Sequence, residues 1–497
     1  MENKVRIIGN GKIGDKAKQL IEKSDAINSA GLYMPKKVIL SEDCFDNFFI
    51  KNRFGKSFQE VFDEKYLDDS IKKGTVSRDL LKNIKEINSE FEKIPLVVRS
   101  SAGGDSRGTG IYLSEVARND IFDLRDSIRN VLGSYYSESA VKFREDSNST
   151  KEFGIMVEPL IGQLLNEDFC LAPILSGFGY TSTPKEGAYI SIVPGLGGGV
   201  NSRYGEKISS RFMKEKNIPL GDYIFEERDK MFSFICGNNY KRKSALLKTD
   251  KDIFYSEKGY SGKAYFFPDE SSEGGIFPTT IELDRELEKD FEDLNLNVFF
   301  EKIQKLKESF ENPQYFEWAM TFEKRKPKYW ITQISDVNKK TDIMDFDNLE
   351  KIIFECKDVV GTGEIECKNI FNAWNPGEDV RNLYDFNQQN KNYVLLFSSR
   401  LTSEATSSQL PYSHFNNASA FIEIQDCPHS SKTPAEHLLG QMDCSGKIFG
   451  VIDYTKKPNW DLFKEKTGNF KGSELYQGEV KIISSEKQDR MIVSAVD

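Results

Sequence analysis

Apolar and polar positions follow two periods along the first third of the chain. Gly14 to Lys23 reads as a helix, Lys36 to Leu40 as a strand, and Ser77 to Lys93 as a charged amphipathic helix with Ser77 as its N-cap. Ile94 to Val98 is a short apolar strand that runs directly into Arg99-Ser100-Ser101. Helices are predicted over Leu124 to Leu132 and Glu138 to Glu145, and strands over Gly154 to Pro159, Ala188 to Val193 and Tyr329 to Gln333. This interleaving predicts an α/β (α+β) fold rather than a helical bundle.

The charged, mixed stretch from Asp336 to Asn375 reads as a connecting segment with a helix around Asn348 to Cys356. A smaller unit follows, with strands at Tyr393 to Ser398, Ala420 to Gln425 and Ile448 to Asp453 and a helix from Pro434 to Asp443. Beyond about Lys456 there are further strand-like pieces, Glu479 to Ile483 and Arg490 to Val496.

Composition narrows the function classes. A chain of 497 residues exceeds the size at which one core stops growing, so two or three domains are expected. Its net charge of −10 gives no basis for a general nucleic-acid surface, although a few converging Lys or Arg can still bind a nucleotide. The seven cysteines are scattered and none forms a C-x-x-C pair, which argues against a disulfide framework or a zinc site. The N-terminus lacks the apolar core of a secretory signal, and no uncharged apolar run approaches the ~18 residues of a membrane span. A reducing cytoplasm without a membrane partner is the expected setting.

Two segments suggest phosphate chemistry. In Gly9-Asn10-Gly11-Lys12-Ile13-Gly14-Asp15-Lys16-Ala17, glycines precede a helix and a lysine supplies a mobile charge. The Walker A spacing is absent, and an isolated match of this kind is more often a glycine turn with a solvated lysine. In Pro95 to Asp105 an arginine at the end of an apolar strand precedes small residues, which can aim a guanidinium at a phosphate. The structural alternative is an arginine satisfied by a neighbouring carboxylate.

Taken in order, these and later segments resemble the ATP-binding domain of the phosphoenolpyruvate synthase and pyruvate phosphate dikinase family. Gly14-Asp15-Lys16-Ala17 is similar to its G-G-K-A opening, and Val98-Arg99-Ser100-Ser101-Ala102 to its V-R-S-S-A segment. Thr109 to Ser114 is similar to the glycine-containing loop, Ser134 to Ala140 with Phe143-Arg144 to the following helix, and Ile155 to Gly162 to the hinge strand facing adenine. Ser176 to Thr181 with Pro184, then Pro194 to Gly197, continue the series. Gln314-Tyr315-Phe316-Glu317-Trp318-Ala319 and Trp330-Ile331-Thr332-Gln333 resemble Q-D-I-E-W-A and L-Q-x-R-P.

The resemblance implies an ATP-grasp domain over residues 1–337, a linker over 338–375, a swivelling phosphohistidine-like domain over 376–455 and an extension over 456–497. It implies that Lys16 and Arg99 bind ATP phosphates, that Glu317 holds Mg2+, and that Gln333 contacts phosphate or metal-bound water. Two positions depart from the family. Tyr315 replaces an acid, and Ile331-Thr332-Gln333-Ile334-Ser335 lacks a phosphate-binding arginine; Gln314 or an acid elsewhere is the candidate to compensate.

The three histidines, His414, His429 and His437, fall within 24 residues. His437 lies nine residues before Gly446 between two predicted strands, a layout similar to that of the family's phosphoryl-carrying histidine. A helix N-terminus there would favour a phosphoryl anion. The capping box Thr433-Pro434-Ala435-Glu436 offers the other reading, in which His437 is an ordinary first-turn residue and His429 is the next candidate. Two functions therefore stand side by side. One is an ATP-dependent phosphotransferase passing phosphate through a histidine to a small-molecule acceptor or a partner chain. The other is a nucleotide-binding regulatory protein that kept the fold and lost turnover.

Overall fold

The computed structural model describes residues 5–164, 170–195, 296–398, 411–424, 445–452 and 467–496, with gaps at 62–63, 65–66, 92–93, 105–109, 148, 184–186, 338–341, 348, 374–375 and 471–472. It also describes five strands between 206 and 282 and residues 442 and 459. Strands are numbered in chain order. The first sheet has the order β1 (Val5–Ile8), β2 (Lys37–Ser41), β5 (Phe153–Pro159), β3 (Leu96–Ala102), β4 (Ser114–Ala117). Only the β1–β2 pair is parallel.

Alternation along these strands sorts their side chains onto two faces. Val38, Leu40, Val98, Ile155 and Val157 face the helices Arg78–Glu90 and Ile121–Ser134, whose Leu80, Ile84, Leu124 and Ile128 complete that core. The Ser77 Oγ accepts the Leu80 N–H at 3.3 Å, so the expected cap forms. On the opposite face Ile39 and Met156 join a second core, shared with the next sheet.

That second sheet is antiparallel throughout: β10 (Glu206–Ser209), β9 (Gly187–Pro194), β8 (Leu175–Thr183), β15 (Gln314–Glu323), β16 (Lys326–Asp336). Its packed face carries Phe316, Trp318, Ile331 and Ile334 against the helices Asp15–Glu22 and Asn297–Glu308. Phe299 stacks on Tyr329 with ring centroids 4.4 Å apart. A six-stranded sheet lies between them in sequence, in the order β13 (Tyr265–Pro268), β14 (Ile276–Glu282), β12 (Arg242–Lys248), β11 (Met231–Cys236), β7 (Cys170–Ala172), β6 (Gln163–Leu164).

The C-terminal part is a closed sheet. Its order is β18 (Gly363–Ala373), β19 (Tyr393–Ser398), β20 (Ala418–Ile424), β21 (Ile448–Ile452), β17 (Ile352–Val360), β24 (Arg490–Ala495), β23 (Ser473–Ser485), β22 (Thr467–Phe470), and β23 pairs back onto β18. The run from β18 to β21 is parallel and the remaining pairs are antiparallel. Alternate residues such as Val394, Leu396, Ala420, Ile422, Val480 and Met491 fill the interior. The odd-numbered Leu395, Phe397 and Phe421 instead pack outward with Leu383 and Phe386 of the helix Pro376–Gln389.

Two expectations change here. The helix expected around Asn348 to Cys356 is strand β17, because Ile353, Phe354 and Cys356 complete the barrel interior. The stretch read as a connecting segment thus supplies β17 and β18, and the residues read as an extension supply β22, β23 and β24 to the same sheet. The helix expected from Pro434 to Asp443, with His429 and His437, lies outside the described residues apart from Met442. Among the described residues no helix is long and apolar enough to cross a membrane.

Candidate nucleotide site

The site builds up from the junction of β3 with the helix Asp15–Glu22. Gly14, at φ +72°, lies so close to Ser101 that a Cβ there would sit 2.1 Å from its carbonyl oxygen. The Ala17 N–H donates to Ser101 Oγ at 2.9 Å, and the Gly104 N–H donates to Asp15 Oδ2 at 2.7 Å. Lys16 therefore sits, partly buried, in a first turn locked to the end of β3. The far end of the helix is tied to the second sheet. The buried Lys23 ammonium donates to Gln314 Oε1 at 2.7 Å and lies 3.0 Å from Asp336 Oδ1. Burial pushes the Lys23 ammonium below its usual value, an effect that Asp336 opposes.

The more N-terminal glycines do a different job. The Asn10 and Gly11 N–H groups both donate to the Asp43 carboxylate at 3.0 Å. The anion in this glycine turn is the chain's own, and Lys12 is largely exposed beside Glu152, 3.6 Å away. The plain turn reading holds for Gly9 to Lys12.

Arg99 lies in the middle of β3, not at its end. Its Nη1 donates to Glu317 Oε2 of β15 at 3.1 Å, and its Nε lies 3.2 Å from Glu158 Oε1 of β5. Glu158 in turn forms an ion pair with Lys37, its cross-strand neighbour, and both side chains are almost completely buried. Burial, then the Arg99 charge, pushes the Lys37 ammonium well below its usual value. Charges thus alternate Lys37, Glu158, Arg99, Glu317 from the first sheet into the second.

On the second sheet, Glu317 pairs with Gln333 and Tyr315 with Ser335, so all four share one face. A register shift beyond Glu317 places Trp318 opposite Ile331 and leaves Thr332 as the extra residue. The Gln333 Nε2 and Ser335 Oγ are buried without a hydrogen-bond partner. Tyr315 donates to Glu317 Oε1 at 3.4 Å and packs against Phe178 and Tyr180. Gln314 does not stand in for the missing acid: it is fully buried within the Lys23–Asp336 network.

Of the residues singled out from the sequence, Arg99, Glu317 and Gln333 are brought together, and Lys16 sits on the helix that docks beside them. His437 and His429 lie outside the described residues. Sequence reasoning missed Lys37 and Glu158. A charge inside the apolar runs Lys37-Val38-Ile39-Leu40 and Ile155-Met156-Val157-Glu158 was the available signal.

The family model described as pyruvate phosphate dikinase, AMP/ATP-binding domain, matches residues 10–351. No curated protein matches the chain.

Proposed function

The chain belongs to the pyruvate phosphate dikinase AMP/ATP-binding domain family, and from that premise we propose that Mg-ATP binds on the shared face of the first two sheets, with Lys16 and Arg99 on the phosphates. The observation that carries this reading is the Arg99–Glu317 contact at 3.1 Å, which joins a cation of one sheet to a carboxylate of the other. Both side chains are about a quarter exposed, so incoming phosphate and metal can divide the pair between them. Gln333 brings an unpartnered buried amide to the same face. Among the described residues no group of three or more His, Cys, Asp or Glu converges there. Glu317 would hold magnesium largely through shared phosphate and water ligands, as this ion commonly accepts. When bound, the ion neutralises charge developing on the transferred phosphoryl group.

In the same proposal the chain is a phosphotransferase that divides near residue 351, and His437 carries the phosphoryl group from the nucleotide towards an acceptor. The parallel strands β18 to β21 backed by an antiparallel half support a swivelling-type frame for that histidine. The second reading, a nucleotide-binding regulator without turnover, is favoured by Tyr315 and Ser335, which replace a carboxylate and an arginine with groups that hold neither metal nor phosphate charge. Incubation with magnesium and γ- or β-labelled ATP separates the two. Acid-labile label on the protein, lost in His437→Ala, supports the relay. Label lost only in His429→Ala would move the carrier to that residue. ATP binding without label or released ADP or AMP would favour the regulator.

A further inference from the structure

Glu158 and Lys37 are the least exposed charges near the proposed phosphate site, with 2% and 1% of their side-chain surface accessible. Neither can meet a ligand directly, and a buried ion pair is a poor source of stability compared with apolar residues of similar size. The geometry suggests another use. Arg99 projects from the middle of a strand with its Nε 3.2 Å from Glu158 Oε1, an ion contact that leaves its outer nitrogens for Glu317 or a phosphate. A lone carboxylate on Arg99 would cancel the charge that a phosphate must find. Lys37 removes that problem, because the Lys37–Glu158 pair has zero net charge whichever partner holds the proton.

Resting on the nucleotide-site reading above, we propose that Glu158 is a positioning residue for Arg99 and that Lys37 balances its charge, so that the guanidinium is both fixed and cationic when phosphate arrives. A fixed, desolvated fork loses less freedom on binding than a mobile one.

The test measures ATP affinity by calorimetry on the full chain. Lys37→Met/Glu158→Gln removes both charges but keeps a polar oxygen beside the Arg99 guanidinium. Lys37→Met/Glu158→Leu removes the charges and the anchor, and neither double variant leaves an unpaired buried charge. The Leu double should bind ATP roughly tenfold or more weakly, the loss of a well-placed charged contact, while the Gln double stays within about threefold of the parent. Lys37→Met alone should also weaken ATP and be rescued by adding Glu158→Gln; if it does not fold, the two doubles carry the comparison. In an Arg99→Ala background the difference between the doubles should vanish.

Equal ATP affinity in the two doubles, or a difference that persists without Arg99, would each overturn the proposal. A parent protein that binds no ATP would fell the site assignment and this inference together, whereas the other outcomes would fell only the inference.

Discussion

Phe143 and Tyr412 meet edge to face with ring centroids 5.4 Å apart, and this contact joins the C-terminal barrel to the helix Glu138–Asp146 of the nucleotide-binding part. The Tyr412 hydroxyl donates to Asp146 Oδ2 at 2.8 Å, and Ser139 Oγ donates to Ser413 Oγ at 3.2 Å. Phe143 is fully buried among barrel residues, with Ile111 at the edge of the same cluster. The segment around Ile111 therefore touches the barrel, and the proposed phosphate site has a physical route to the C-terminal part.

Phe143→Ala is expected to cost about 3–5 kcal/mol of stability, as other buried aromatic truncations do. Tyr412→Phe keeps the ring and should cost only about 0.5–1.5 kcal/mol for the lost hydrogen bond. Urea unfolding followed by fluorescence checks both. Similar losses in the two variants would mean that the hydroxyl, not ring packing, holds the barrel in place.

Arg99→Ala should impair ATP binding far more than Lys12→Ala. Arg99 lies between the carboxylates of Glu158 and Glu317, whereas the Lys12 side chain is 54% exposed and paired with Glu152. A charged contact to phosphate is worth about 1.5–3 kcal/mol, or roughly 10- to 150-fold in affinity. Equal affinities of the two variants, measured by titration, would show that the phosphate site is misplaced.

Local signals carried well from sequence to structure, and signals that depend on strand register did not. Ser77 caps its helix and the apolar run before Arg99 is a strand, because each of these follows from residues close in sequence. The Lys37–Glu158 pair joins residues 121 positions apart and becomes visible only once β2 and β5 are in register. Asp43 enters the Gly9–Gly11 turn for the same nonlocal reason. The misread segment is instructive in a different way. Leu349, Ile352, Ile353 and Cys356 are spaced for a helix, yet barrel closure claims Ile353 and Cys356 for its interior. A short apolar run is decided by its partners.

The tie between the helix Asp15–Glu22 and β16 should weaken in acid. Burial works to raise the Asp336 carboxyl, but hydrogen bonds from Gln314 and Lys23 hold it below the usual carboxylate value. With the folded value depressed, its contribution is complete above the unfolded value and is lost as pH falls through the folded one. Asp336→Asn should therefore be less stable than the parent at neutral pH and flatten the acid limb of a stability–pH curve, so that the two curves approach each other as pH falls. A limb that stays as steep as the parent's would remove Asp336 from the acid transition.

The last prediction concerns Tyr315, which stands where the family's motif has an acid. Introducing that acid with Tyr315→Asp should not raise labelling by ATP above the parent's. Tyr315 is 2% exposed, and its ring stacks on Phe178 at 6.0 Å and meets Tyr180 at 5.5 Å. Aspartate would leave a void among these rings and place a second carboxylate beside Glu317, where two like charges disfavour ionisation of both. The cost should be about 3–5 kcal/mol by comparison with other large aromatic truncations. Tyr315→Phe, which keeps the ring and loses only the contact to Glu317, should stay close to the parent in stability and bind Mg-ATP slightly more weakly. Thermal unfolding and labelling with γ- or β-labelled ATP, run side by side on parent, Tyr315→Asp and Tyr315→Phe, distinguish the cases. An aspartate variant as stable as the parent and labelled faster would show that the aromatic cluster tolerates the acid, and that the tyrosine is what limits phosphoryl transfer in this chain.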